Sequence, residues 1–169
     1  MNLQIVYWNH PALSAVCSPV EISEFGPELF YLGKEMLSLM KEKRGIGLAA
    51  SQVNLLKNLF VMERKNGETI IVVNPKIVVS PDAKIVNHEE GCLSIPTVYN
   101  FVSRPNIIEM TYQDPLDGHE CTVVLDDYDA YCAQHEMDHS QGIMFFDRRR
   151  VSRQINRAVE REWKNKKGE

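Results

Sequence analysis

Apolar positions recur along this chain with two different periods. Leu29, Leu32, Met36, Leu37 and Met40 share one face of a 3.6-residue repeat. The repeat predicts a helix that opens at Gly26-Pro27, where proline is tolerated in the first turn, and runs to about Lys43, ending before Gly45. From about residue 46 to 125 it gives way to short β-rich runs: Leu59 to Met62, Thr69 to Val73, Ile77 to Val79, Ile107 to Tyr112 and Cys121 to Leu125. Asn66-Gly67 lies between the first two and signals a tight hairpin. A second helix is predicted from about Asp126, its N-cap, to Gln141, with Gly142 placed to end it. A third, from about Ser152 to Lys166, aligns Ile155, Ala158, Val159 and Trp163 on one side. This order predicts an α+β fold in which antiparallel β-sheet packs around a central helix, flanked by an N-terminal and a C-terminal helix.

Composition changes this picture little. The 169 residues are 44% hydrophobic and 25% charged, enough for one sizeable core, and no repeat or Gly/Ser-rich linker divides them. The expectation is a single domain spanning 1–169. No run approaches the roughly 20 apolar residues that cross a bilayer, and the N-terminus lacks the pattern of a secretory signal. A mature cytoplasmic chain with no membrane partner is therefore expected. Cys17, Cys92, Cys121 and Cys132 show no CxxC spacing, which speaks against a disulfide scaffold or a four-cysteine zinc site. Any metal must use histidine as well. Charge is uneven: residues 148–169 carry nine Lys and Arg against three acids, or +6, and the preceding part carries −10. The basic tail suits either an anionic partner, RNA first, or a solvated terminal helix with favourably placed lysines.

The chemistry gathers on the central helix, at His135-Glu136-Met137-Asp138-His139. Residues four apart share a helix face, so His135 and His139 can aim two imidazole nitrogens at one point with Glu136 beside it. Tyr128, Tyr131 and Cys132 lie seven, four and three residues before His135, on or near the same face. That face points inward, where two unpaired histidines would be costly and metal coordination removes the cost. A tetrahedral catalytic site takes three protein ligands and leaves one position for water. Cys92, within Glu90-Gly91-Cys92-Leu93-Ser94, is a candidate third ligand, with an inert buried thiol as the alternative. Gly45-Ile46-Gly47-Leu48-Ala49-Ala50-Ser51-Gln52 is a small-residue loop that lets a substrate backbone approach closely, and Gln52 can donate a hydrogen bond to a developing oxyanion.

Together these segments resemble the peptide deformylase family, whose hallmarks are GxGLAAxQ, EGCLS and HExDH in that order. Here they read GIGLAASQ at 45–52, EGCLS at 90–94 and HEMDH at 135–139. The resemblance implies metal-dependent hydrolysis of the formyl group from the N-terminal formylmethionine of nascent polypeptides. It implies Cys92, His135 and His139 as ligands and Glu136 as general base, with Gln52 and the backbone N–H of Leu93 as oxyanion donors. It also implies Fe(2+) as the native metal, with Zn(2+), Ni(2+) or Co(2+) as substitutes, and a ribosome-docking role for the C-terminal helix. DNA is not an expected partner. An apolar pocket for the methionine side chain is expected from Ile46, Leu93, Tyr128, Tyr131 and Cys132, with Gly45 and Gly47 on the substrate side and Glu90 paired to Arg104 behind. Two places depart from the family pattern: Ser140 stands where leucine is common, and Thr97-Val98-Tyr99 where many members carry glycine or an arginine.

Two other classes compete with this reading. A metallopeptidase of the HExxH type would draw its third ligand from a downstream histidine or glutamate. After His139 no histidine remains, and the next acids are Asp147, Glu160, Glu162 and Glu169. A catalytically silent metal-binding or ribosome-associated module would need neither Glu136 nor Gln52.

Overall fold

The computed structural model describes residues 2–147. The predicted basic helix at about 152–166 lies outside them. Helix α1 spans Pro27–Glu42 and α2 spans Asp127–Ser140. Strands β1 (Gly47–Ala49), β2 (Leu59–Glu63), β3 (Thr69–Val79), β6 (Ile107–Gln113) and β7 (Glu120–Asp126) form one antiparallel sheet in the order β1-β2-β3-β6-β7. β4 (Ile85–Cys92) and β5 (Ile95–Pro105) form a separate antiparallel hairpin. The α+β expectation holds.

β2 is apolar at four consecutive positions because both faces of the sheet are covered there. Side chains alternate across a strand. Leu59 and Val61 accordingly join Met36, Leu37 and Met40 of α1, while Phe60 and Met62 join Ala130, Cys132 and Ala133 of α2. Ile71 and Val72 of β3 split the same way. The sheet is thus held between the two helices, with α2 on the side that carries the chemistry. A third cluster, of Leu13, Ile95, Val102, Met144, Phe145 and Phe146, packs β5 of the hairpin against the segment after α2.

Three departures from the predicted elements have local causes. The runs at 69–73 and 77–79 are one strand, interrupted at Asn74-Pro75 by a shift in register between Val73 and Lys76. Asn74 takes φ 49°, and its amide bonds the Val20 backbone and Gln113. Asn66-Gly67 does turn a hairpin, though a wider one than the tightest type: Arg64 donates to Glu68 O across it, and Gly67 has φ 83°. The segment after Cys92 is β, as its residues suggest, but its pairing with β4 as a hairpin is not predicted, because β4 reads Ile85-Val86-Asn87-His88-Glu89-Glu90-Gly91-Cys92 and its polar centre gives no apolar run.

α2 ends as its sequence requires. Gly142, at φ 70°, donates to His139 O and Ile143 donates to Asp138 O, the paired bonds of a left-handed helix stop. This stop fixes the last turn, where His139 sits. Gly142→Ala should destabilise the protein by more than about 1 kcal/mol, since the left-handed backbone disfavours a side chain and the added methyl would overlap the Ser14 carbonyl. Urea unfolding of the two proteins measures the difference.

Candidate active site

The helical spacing of His135 and His139 and the end of β4 bring three ligand groups together. One ligand atom each from Cys92, His135 and His139 lies within 4.8 Å of the others. The Cys92 sulfur is 3.3 Å from His139 Nε2, and the two imidazole rings are 5.0 Å apart at 73°. His139 is 1% exposed. Its Nδ1 has no hydrogen-bond partner among the described residues.

The His135 ring is oriented from behind. Its Nδ1 donates to Glu90 Oε2 at 2.9 Å, which leaves Nε2 for the Cys92 side. Glu90 also accepts from Arg104 at both oxygens, at 2.5 and 2.9 Å, and the remaining Arg104 nitrogen, Nη1, donates to Asp138 at 2.8 Å. Burial alone would raise the Glu90 pKa, but the bonds from Arg104 and His135 hold it at about 2. Burial opposes charge on His135, yet its bonds to Cys92 and Glu90 hold its pKa well above the ordinary imidazole value. Burial and the neighbouring His135 push His139 well below that value, making it a neutral lone-pair donor.

Glu136 lines the same space. It is 4% exposed, its Oε2 has no partner among the described residues, and burial raises its pKa to about 7. Its carboxylate fits only because Gly47 lacks a side chain: a methyl there would overlap Glu136 and the Cys132 sulfur. Gln52 is fixed through Oε1, which accepts from Ala49 N at 2.9 Å. Its Nε2 then points at Ser94 Oγ, 3.1 Å, and at the Cys92 sulfur, 3.4 Å.

These groups surround a cavity of about 490 Å³. Gly45, Ile46, Gly47, Gln52, Glu90, Cys92, Leu93, Tyr128, Tyr131, Cys132, His135 and Glu136 all line it, so the structure gathers the predicted site residues around one space, with His139 buried beside it. Cys132 donates to Ile46 O, and burial puts its thiol pKa well above the ordinary value. Sequence reasoning gave no role to Asp138 or His88, whose placement depends on pairings distant in the chain.

The departures from the family pattern are absorbed locally. Ser140 donates to Met137 O at 2.7 Å within its own helix. Thr97 sits at φ 66°, a conformation that favours glycine, and Tyr99 lies over Gly91 at the cavity rim.

The donor set fits a metal ion. One soft sulfur and two imidazoles converge, one imidazole is held in a fixed tautomer by a carboxylate, and a separate buried carboxylate keeps one oxygen without a partner among the described residues. An α+β fold with a Cys/His/His centre and an adjacent glutamate defines a metal-dependent hydrolase. Comparison with known proteins narrows the class. The model of the polypeptide deformylase family matches residues 2–155, and the chain belongs to that family. It is 42% identical over 154 residues to the peptide deformylase of Rhodopirellula baltica, covering 88% of this chain and 73% of the relative. It is 39% identical over 141 residues to that of Maricaulis maris, covering 81% and 79%. Among solved structures, the Ehrlichia chaffeensis peptide deformylase in complex with actinonin superposes with a TM-score of 0.88 at 31% identity, over 97% of this chain and 96% of that one. The known reaction of the family is removal of the formyl group from the N-formylmethionine of nascent peptides.

Glu90→Gln should keep the fold but lower metal affinity by about 10- to 100-fold, the usual effect of losing a carboxylate behind a histidine ligand. Competition with a metal chelator measures it.

Proposed function

We propose that Cys92, His135 and His139 hold one metal ion, that Glu136 is the general base, and that Gln52 Nε2 and the Leu93 backbone N–H stabilise the oxyanion during hydrolysis of formyl-methionyl peptides. One observation carries the proposal: a buried Glu136 carboxylate with one oxygen partnerless among the described residues and its pKa near 7 stands in the same cavity as a fixed glutamine amide and a Cys/His/His donor set. When bound, the ion supplies Lewis acidity at the formyl carbonyl and makes water beside it more acidic. Glu136 takes a proton from the water that attacks the formyl carbon. Gln52 and the Leu93 N–H donate to the carbonyl oxygen as it gains charge, each worth about 3 kcal/mol in comparable sites. Glu136 then delivers the proton to the departing nitrogen, the C–N bond breaks, and formate and a free amino terminus leave.

The methionine side chain is read into the space between Ile46, Leu93, Tyr128, Tyr131 and Cys132, with Gly45 and Gly47 letting the peptide backbone approach and Glu90 closing the back. Fe(2+) is the native metal on this reading, with Zn(2+), Ni(2+) or Co(2+) able to replace it; a donor set of one sulfur and two nitrogens accepts all four. The whole chain, 1–169, acts as one catalytic domain. It works in the cytoplasm on nascent chains, its basic tail meeting the ribosome, with no DNA or membrane partner. Among the described residues no helix is long and apolar enough to cross a membrane.

Formate release from a formyl-Met peptide, with no cleavage of an internal peptide bond, is the expected activity; internal cleavage or no formate would overturn the reading. Glu136→Gln should retain its metal and lose about 10²-fold or more in turnover. Near-normal turnover would remove it as the base. Cys92→Ala should lower metal content, read by elemental analysis, along with rate; a fully metallated variant would exclude the thiol as a ligand.

A further inference from the structure

His88, which no motif singled out, stands inside the cavity. It lies on β4 two residues before Glu90 and so shares that residue's strand face. Its ring stacks on Tyr131, with centroids 3.8 Å apart and planes 17° from parallel. Nε2 is 2.7 Å from Glu90 Oε1, yet neither ring nitrogen has an aligned hydrogen-bond partner among the described residues. Three better-aligned donors, two from Arg104 and one from His135, already occupy that carboxylate. The ring is therefore clamped on one face by Tyr131 and along one edge by Glu90, and its side chain is only 19% exposed. It is a fixed aromatic wall in a pocket whose other walls include Ile46 and Leu93.

We propose that His88, backed by Tyr131, is a specificity-determining residue that selects a sulfur-bearing side chain at the first residue of the substrate over a hydrocarbon of the same length. The proposal rests on the deformylase reading. A thioether is polarisable and makes favourable contacts with aromatic rings. The straight hydrocarbon has the same reach without that contact. Aliphatic walls such as Ile46 and Leu93 do not distinguish the two, so discrimination falls to the aromatic walls, and first to the stacked pair of His88 and Tyr131. Sulfur–aromatic contacts convert to a preference of roughly two- to tenfold.

The experiment compares kcat/KM for formyl-methionyl and formyl-norleucyl tripeptides with the metal-loaded full chain and its His88→Leu and His88→Phe variants. Both substrates share the ion, Glu136 and the oxyanion donors, so their ratio is insensitive to metal lost or Glu90 displaced by a substitution. The wild type should prefer methionine by about two- to tenfold. His88→Leu, which leaves Tyr128 and Tyr131 in place, should cut that preference at least about twofold, and His88→Phe, which keeps a flat ring, should retain more of it. A wild-type ratio near one, or a His88→Leu protein with the preference intact, overturns the proposal. Should the leucine variant not fold, His88→Gln, which removes the ring and keeps a polar group beside Glu90, takes its place with the same expected loss of preference. No formate from either peptide would instead sink the deformylase reading.

Discussion

The Glu90 carboxylate is the constraint on which the site depends. It comes from a hairpin that pairs with nothing in the main sheet, and it must reach α2 to orient His135. A buried carboxylate would cost several kcal/mol unless its charge were met. Arg104, on the other strand of the hairpin, meets it with two donors and reaches on to Asp138 of α2 with a third nitrogen. One guanidinium therefore ties the hairpin to the helix twice, directly through Asp138 and through Glu90 to His135. The hairpin also carries Cys92, so the same tie that orients one imidazole sets the position of the sulfur beside it. Two carboxylates on a single guanidinium leave an excess of negative charge at the back of the donor cluster, a surrounding that favours a cation in front.

Much of this was legible in the sequence where the signal is local. The spacing of His135 and His139 fixes a shared helix face, Gly142 marks the end of that helix, and the apolar repeat of α1 places its boundaries within a residue or two of Pro27–Glu42. The placement of Cys92 could only be a candidate, because nothing near it in the chain says which strand it ends or what that strand faces. The pairing of Glu90 with Arg104 is legible by residue type, but the hairpin that brings them together is not. Its inward residues include His88, Glu90 and Arg104, polar groups that leave no apolar run to mark both strands. Periodicity reads apolar burial well and compensated polar burial poorly. Ser140 and Thr97 teach a related lesson, since one departure is settled by a bond inside the helix and the other by an unusual backbone angle.

Two glutamates in the same cavity are pushed to opposite behaviour by their surroundings. Glu90 has Arg104 and His135 as donors and stays ionised, with a pKa of about 2; Glu136 is desolvated, has a partnerless oxygen and rises to about 7. Separated pKa values of this kind divide structural from proton-carrying work within one site. Glu90 could not move protons at neutral pH without surrendering His135, whereas Glu136, with one oxygen partnerless among the described residues and a pKa near neutrality, has the freedom that the base of the proposed reaction requires. The sequence encodes this division through neighbours more than through the glutamates themselves. Arg104 stands where it can neutralise one, and Gly47, which has no side chain, leaves room for the other where no cation among the described residues meets it.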